Sequence, residues 1–88
     1  MAYAVQLVPS AAKELAKLAP RERQRIATRI GALAVQPRPP GAEKLAGVDA
    51  WRVRVGDYRI VYEVRDRVLV VLVLAVGHRR DIYKRLEE

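Results

Sequence analysis

Between Trp51 and Tyr83 the chain spaces its arginines as a phosphate-handling surface would. Trp51-Arg52-Val53-Arg54-Val55 alternates, and a period of two puts both guanidiniums on one face of a strand. Gly56-Asp57 reads as a tight turn, and Tyr58-Arg59 opens the next strand. A third, very apolar segment ends in Gly77-His78-Arg79-Arg80, with Tyr83 shortly after. Guanidinium stays charged and grips a phosphate through two parallel N–H bonds. Without a metal, such a set suits RNA cleavage, in which a ribose 2′-hydroxyl attacks the adjacent phosphate. That reaction needs in-line positioning, stabilisation of the charge on the phosphorane, and proton movement. Arginines meet the charge requirement, and His78 or Tyr83 would move the protons. Tyrosine is a poor base at its ordinary pKa of about 10, but nearby cations favour its phenolate. A helix over Arg79–Tyr83 would put those two on one face.

Each of these residues also has a plainer reading. Arg52 and Arg54 suit the solvated side of a hairpin, and Arg59 suits cross-strand pairing with Glu63 or Asp57. His78 suits a structural role after a strand, and Tyr83 suits packing on Ile82 or Leu86. Trp51, Tyr58 and Tyr62 share parity with Val53 and Ile60, so they read as core. The arginines between Arg21 and Arg29 read as a solvated helix face. Glu63 and Asp81 are read as the carboxylates near the basic face, and they do not form an acid/base pair. There is no glycine-rich phosphate loop and no Ser/His/Asp triad.

The net charge is +7, and arginine supplies 13 of the 17 basic residues. Nucleic acid is therefore the leading partner class, ahead of an acidic protein. The chain has no cysteine and one histidine, which excludes disulfides and makes a structural zinc site unexpected. No metal site and no cofactor are expected. Eighty-eight residues, 51% of them hydrophobic, suit one globular domain spanning 1–88. The longest apolar run, Val68–Gly77, is shorter than the ~20 residues of a membrane helix. No secretory leader is read at Met1-Ala2-Tyr3, so a cytoplasmic location away from membranes is expected.

The elements that must position the arginines follow from pattern. Tyr3–Val8 reads as a strand, with Ser10 as N-cap of a helix that buries Ala11, Leu15 and Leu18. Lys13, Glu14 and Lys17 are expected to point outward. Pro20 starts a second helix carrying Ile26, Ile30 and Leu33. Gln36–Ala42 is a connector, and Lys44–Gly47 a turn or short extended piece. Three strands follow, Trp51–Val55, Tyr58–Arg65 and Val68–Val76; the last lacks alternation and so is central. Arg79–Leu86 is expected to form a short helix. The fold expected is α+β, in the order β-α-α-β-β-β-(α): a curved antiparallel sheet packed against an N-terminal helical hairpin.

Lys44-Leu45-x-Gly47, GDYRIVYEV (Gly56–Val64) and VGHRRDIY (Val76–Tyr83), after a helix reading AAKELAKL, together resemble the RelE branch of the RelE/ParE toxin superfamily. The resemblance covers essentially the whole chain. It implies the toxin of a type II toxin–antitoxin system: an mRNA interferase, an endoribonuclease that cuts the message in the ribosomal A site. It implies an acidic, RelB-like antitoxin that wraps the toxin in a hetero-oligomer, along the sheet edge or in place of the final helix. Matched residue by residue, Arg52 and Arg54 take the two basic strand positions, often lysine in the family. Arg59 takes the arginine of phosphate binding and transition-state stabilisation, Arg79 a late catalytic arginine, and Tyr83 the C-terminal tyrosine that positions or activates the nucleophile. Lys44 matches a position of RNA or ribosome contact, and Arg80 is placed with it, Arg52 and Arg54 as RNA-binding. His78 resembles histidines that share the proton work in some branches.

The departures carry information. Arginine does not give up its proton, so Arg52 and Arg54 act electrostatically rather than as bases. The Arg79–Tyr83 interval is also shorter than in some relatives. Two alternatives remain at this point: a ParE-like inhibitor of DNA gyrase without nuclease chemistry, and a non-catalytic basic RNA-binding module.

Overall fold

The computed structural model of the chain describes residues 2–82. β1 (Ala4–Leu7) leads into the helices α1 (Pro9–Ala16) and α2 (Pro20–Ala32). Then come β2 (Glu43–Lys44), β3 (Trp51–Val55), β4 (Tyr58–Arg65) and β5 (Val70–His78). The five strands form one sheet in the order β1-β5-β4-β3-β2. β3 through β5 are an antiparallel meander, as expected; the two-residue β2 adds a further antiparallel strand on β3, and β1 lies parallel to β5. The sheet is therefore mixed. β1 leaves through helices rather than a hairpin turn, so no tight turn forces it antiparallel.

One face of the sheet carries the helices. Ala11, Ile26, Ile30 and Leu33 bury against Val53, Ile60, Tyr62, Val71, Val73 and Val76, with Trp51 and Tyr58 packed beside them. On β5 the parity changes between Val73 and Val76. Tyr62 faces Val73 while Val61 faces Ala75, so Leu74 is the extra residue of a bulge. The bulge turns Ala75 to the opposite face, where it packs with Ala50, Val61 and Ile82. Both faces of β5 are thus occupied, which is why its sequence shows no simple alternation.

Several local expectations change. α1 begins at Pro9, with Val8 rather than Ser10 at the N-cap, because the fixed φ of proline already suits the first helical turn. Glu14 does not point outward: its Oε1 accepts a hydrogen bond from the Val76 N–H at 3.1 Å. β1 pairs with β5 only as far as Val73, so beyond that point α1 supplies a partner for the strand. Leu69 adopts φ 54° in the turn before β5, so that strand begins at Val70 rather than Val68. Arg79–Asp81 form a turn, and the second half of the helix expected over Arg79–Leu86 lies outside the described residues.

The proline-rich connector is fastened down. Tyr62 Oη donates to the Pro37 carbonyl at 2.6 Å, and burial pushes its phenol up to about 12. Arg38 makes two bonds to Asp66, at 3.2 and 2.9 Å, and lies over the Trp51 ring at 5.4 Å. Tyr3 Oη donates to the same carboxylate at 2.6 Å. Those two partners hold Asp66 below its ordinary pKa, Arg38 contributing more. This clasp sits at the β4–β5 turn, the far end of the sheet from Arg59.

Candidate nucleic-acid interface

The face opposite the helices carries the arginines, because alternation along β3 and β4 sends them there while Val53, Ile60 and Tyr62 go to the core. Register then sets the grid. Arg54 stands opposite Arg59, and Arg59 opposite Gly77, so these three form one row across β3, β4 and β5. The next row is Glu43, Arg52, Val61 and Ala75. Two cations directly across a strand pair repel, so the Arg54–Arg59 row favours an anion laid over it.

The three strand arginines are not equivalent. Arg54 is exposed. Arg52 is mostly buried and paired with Glu43, a carboxylate on this face that inspection of the sequence missed. β2 is two residues long, too short for a periodic signal to reveal the pairing. Arg59 is only 9% exposed. Its Nη1 donates to the Tyr58 carbonyl at 3.1 Å and weakly to Gly56 at 3.5 Å, and its Nε has no partner among the described residues. It pairs with neither Glu63 nor Asp57. Glu63 bonds to Arg65, and the Asp57 carbonyl accepts from the Arg79 N–H at 2.8 Å. Gly77 leaves the floor beside Arg59 without a side chain, and Ile82 settles over it; a Cβ there would lie 3.6 Å from the Ile82 Cβ.

The other candidates take different places. Arg79 and Arg80 are exposed in the turn after β5, and the Arg79 backbone bond ties that turn to the Gly56-Asp57 turn beside Arg59. His78 is not brought onto the arginine face. It stands opposite Tyr58, and the two rings meet edge-on with centroids 5.8 Å apart. Its Nδ1 accepts from the Arg80 N–H at 3.2 Å, which assigns the neutral ring's proton to Nε2. Lys44 is exposed on the short β2 and reaches Asp49 at 4.0 Å. Tyr83 lies outside the described residues. Among the described residues, no three His, Cys, Asp or Glu side chains converge as metal ligands would. Nor is any described helix long and apolar enough to cross a membrane.

Comparison with known proteins agrees with this architecture. Residues 5–83 match the family model for the ParE toxin of the type II toxin–antitoxin system parDE. The chain is 35% identical to toxin RelG of Mycobacterium tuberculosis, over 97% of this chain and 100% of that protein. It is 34% identical to the mRNA interferase toxin RelE of Escherichia coli K12, over 90% of this chain and 85% of that one. Among solved structures it resembles the toxin–antitoxin complex RelBE2 of M. tuberculosis, with TM-score 0.80 and 28% identity, covering 90% of this chain and 100% of that chain. It also resembles the intact E. coli RelBE complex, with TM-score 0.78 and 30% identity over 88% and 96% of the two chains. An open sheet with an arginine row on one face and a helical hairpin on the other belongs, in sequence and in fold, to the RelE/ParE family of type II toxin–antitoxin toxins, and this chain is a RelE-like member of it.

Proposed function

We propose that this toxin is a ribosome-dependent endoribonuclease that cuts mRNA in the A site without a metal, and that an acidic antitoxin neutralises it. The observation that carries the reading is the row of Arg54 opposite Arg59 that ends at Gly77: two arginines face to face across β3 and β4, one of them buried with its Nε unsatisfied among the described residues, beside Gly77 and the Ile82 packed over it. A phosphate laid over this row meets the exposed Arg54 guanidinium and the positive charge that the sheet holds in place at Arg59 as negative charge builds. The 2′-oxygen attacks phosphorus and the P–O5′ bond breaks, giving a 2′,3′-cyclic phosphate and a 5′-hydroxyl. The 2′-hydroxyl loses a proton and the leaving 5′-oxygen gains one. No arginine takes that first proton. Tyr83 is assigned to it by its place in the family motif, and His78, turned toward Tyr58, is not.

Arg54, Arg79, Arg80 and Lys44 act as exposed phosphate contacts, and Arg59 stabilises the transition state. Arg52 acts through its fixed pair with Glu43, holding the middle of the face. The antitoxin has a natural landing place, since β2 pairs only with Trp51 and Arg52 and, among the described residues, no strand pairs with the β3 edge at Val53–Val55. The relatives named RelE and the RelB–RelE complexes of the same fold support both halves of this reading.

The matched family model bears the ParE description, which favours a second reading, inhibition of DNA gyrase. Primer extension on a defined message, with and without programmed ribosomes, separates the two. Ribosome-dependent cuts at the A-site codon are expected. No cleavage together with blocked supercoiling in a parallel gyrase assay would replace the nuclease reading with the second one.

A further inference from the structure

On the arginine face a cavity of about 230 Å³ opens beside the second row, walled by Val48, Ala50, Val61 and Leu74 and rimmed by Asp49 and Glu63. We propose that this cavity is a nucleobase subsite: it takes the base next to the phosphate held at Arg54 and Arg59, and Glu63 selects bases that carry an exocyclic amino group, against uracil. The inference rests on the RNA-cleaving reading above and adds a residue that sets its sequence preference.

Position comes first. Val61 stands opposite Arg52 and two residues along β4 from Arg59, a rise of about 7 Å. A nucleotide whose phosphate lies on the Arg54–Arg59 row therefore reaches the cavity with its base. The cavity is smaller than the roughly 300–1,000 Å³ of sites for drug-sized ligands, which suits one flat heterocycle. Its walls are aliphatic, fit for the face of a base splayed out of a single strand.

The rim chemistry is opposite to that of the arginine row. Carboxylates repel phosphate, so the backbone stays on the arginines, and they accept hydrogen bonds, so the cavity wants a donor. Arg65 Nε and Nη2 both bond to Glu63 Oε1, at 3.2 and 3.1 Å, which fixes the carboxylate. Oε2 accepts no hydrogen bond among the described residues. Cytosine, adenine and guanine each present an amino group that satisfies it. Uracil presents two carbonyls beside its single N–H, and those carbonyls would face the carboxylate. A site built to pair a donor rejects a ligand that lacks one, because its own polar group is then left unpaired.

The test is primer extension on ribosomes carrying messages that differ by one base at each position of the A-site codon, with wild type, Glu63→Gln and Val48→Trp. Wild type is expected to cut the uridine message about 5- to 100-fold more slowly at one codon position. Glu63→Gln offers a donor as well as an acceptor, so it is expected to bring that ratio close to one. Val48 is 56% exposed, so tryptophan there folds and fills the mouth, and it is expected to slow cutting for all four bases. A wild-type base profile that Glu63→Gln leaves unchanged overturns the subsite while leaving the nuclease intact. Variants that keep the profile but bind the antitoxin more weakly overturn it too, and give the cavity to a side chain of that protein. No cleavage of any message by wild type removes the nuclease reading itself.

Discussion

Replacing Arg59 by methionine is expected to stabilise the fold and to lower its activity about 10²- to 10³-fold. Arg59 is 9% exposed, its Nε has no partner among the described residues, and its two acceptors are neutral carbonyls at 3.1 and 3.5 Å. Among the described residues, no carboxylate is bonded to it. An unsatisfied buried donor costs about 1–3 kcal/mol, and replacing it by an apolar group of the same shape removes that cost. Methionine follows the unbranched stem and fills the same volume. Against this, the short bond to the Tyr58 carbonyl is lost, at about 1.5 kcal/mol for a charged donor. The net gain is about 1 kcal/mol, which raises the Tm of a domain this size by about 4–8 °C. Loss of one preorganised donor should lower single-turnover cleavage about 10²- to 10³-fold. Thermal unfolding followed by circular dichroism, with single-turnover cleavage on ribosomes, measures both. A lower Tm would mean that the guanidinium holds the sheet together rather than waiting for an anion. Cleavage within a few-fold of wild type would refute its place in the transition state.

Arg54→Ala removes an exposed cation, so RNA binding should weaken and the slope of log affinity against log salt should fall by about 0.7. Its Tm should stay within a degree or two of wild type. Tyr62→Phe leaves the Pro37 carbonyl without its 2.6 Å donor and should cost about 1–3 kcal/mol in urea unfolding. Alkaline pH acts at the same residue. The Tyr62 phenol is raised to about 12 in the fold against about 10 unfolded, so above pH 10 the unfolded chain holds fewer protons. Its contribution is therefore complete below pH 10 and should be lost between pH 10 and 12, a decline that Tyr62→Phe removes. Asp66 runs the other way. Its pKa is depressed by Arg38 and Tyr3, so its contribution holds above the ordinary aspartate range and is lost as the pH falls through it, and Asp66→Asn should flatten that acid limb.

Much of the candidate site was legible in the residues themselves. Alternation over Trp51–Val55 and Tyr58–Arg65 told which side chains enter the core and which form the basic face, because strand geometry permits only two sides. The Gly56-Asp57 turn tied the two strands in register, so Arg54 opposite Arg59 follows from a hairpin alone. His78 was harder to place: its side of the sheet depends on a bulge in a strand whose residues are nearly all apolar. An inserted Leu74 shifts parity without altering composition.

What the sequence determines by itself is local: periods, turns, helix breakers and the excess of arginine. Each depends on residues a few positions apart, where backbone geometry leaves few choices. Tertiary structure decided the parallel seat of β1, the pairing of Glu43 with Arg52, the docking of Glu14 on the β5 edge and the clasp of Arg38 on Asp66. Those contacts join residues up to 66 positions apart. They form because buried or edge polar groups must find partners within reach, and reach is set by how the layers pack. The same packing leaves Arg59 buried with a donor unsatisfied among the described residues, a property of the folded sheet that no spacing of residues announces.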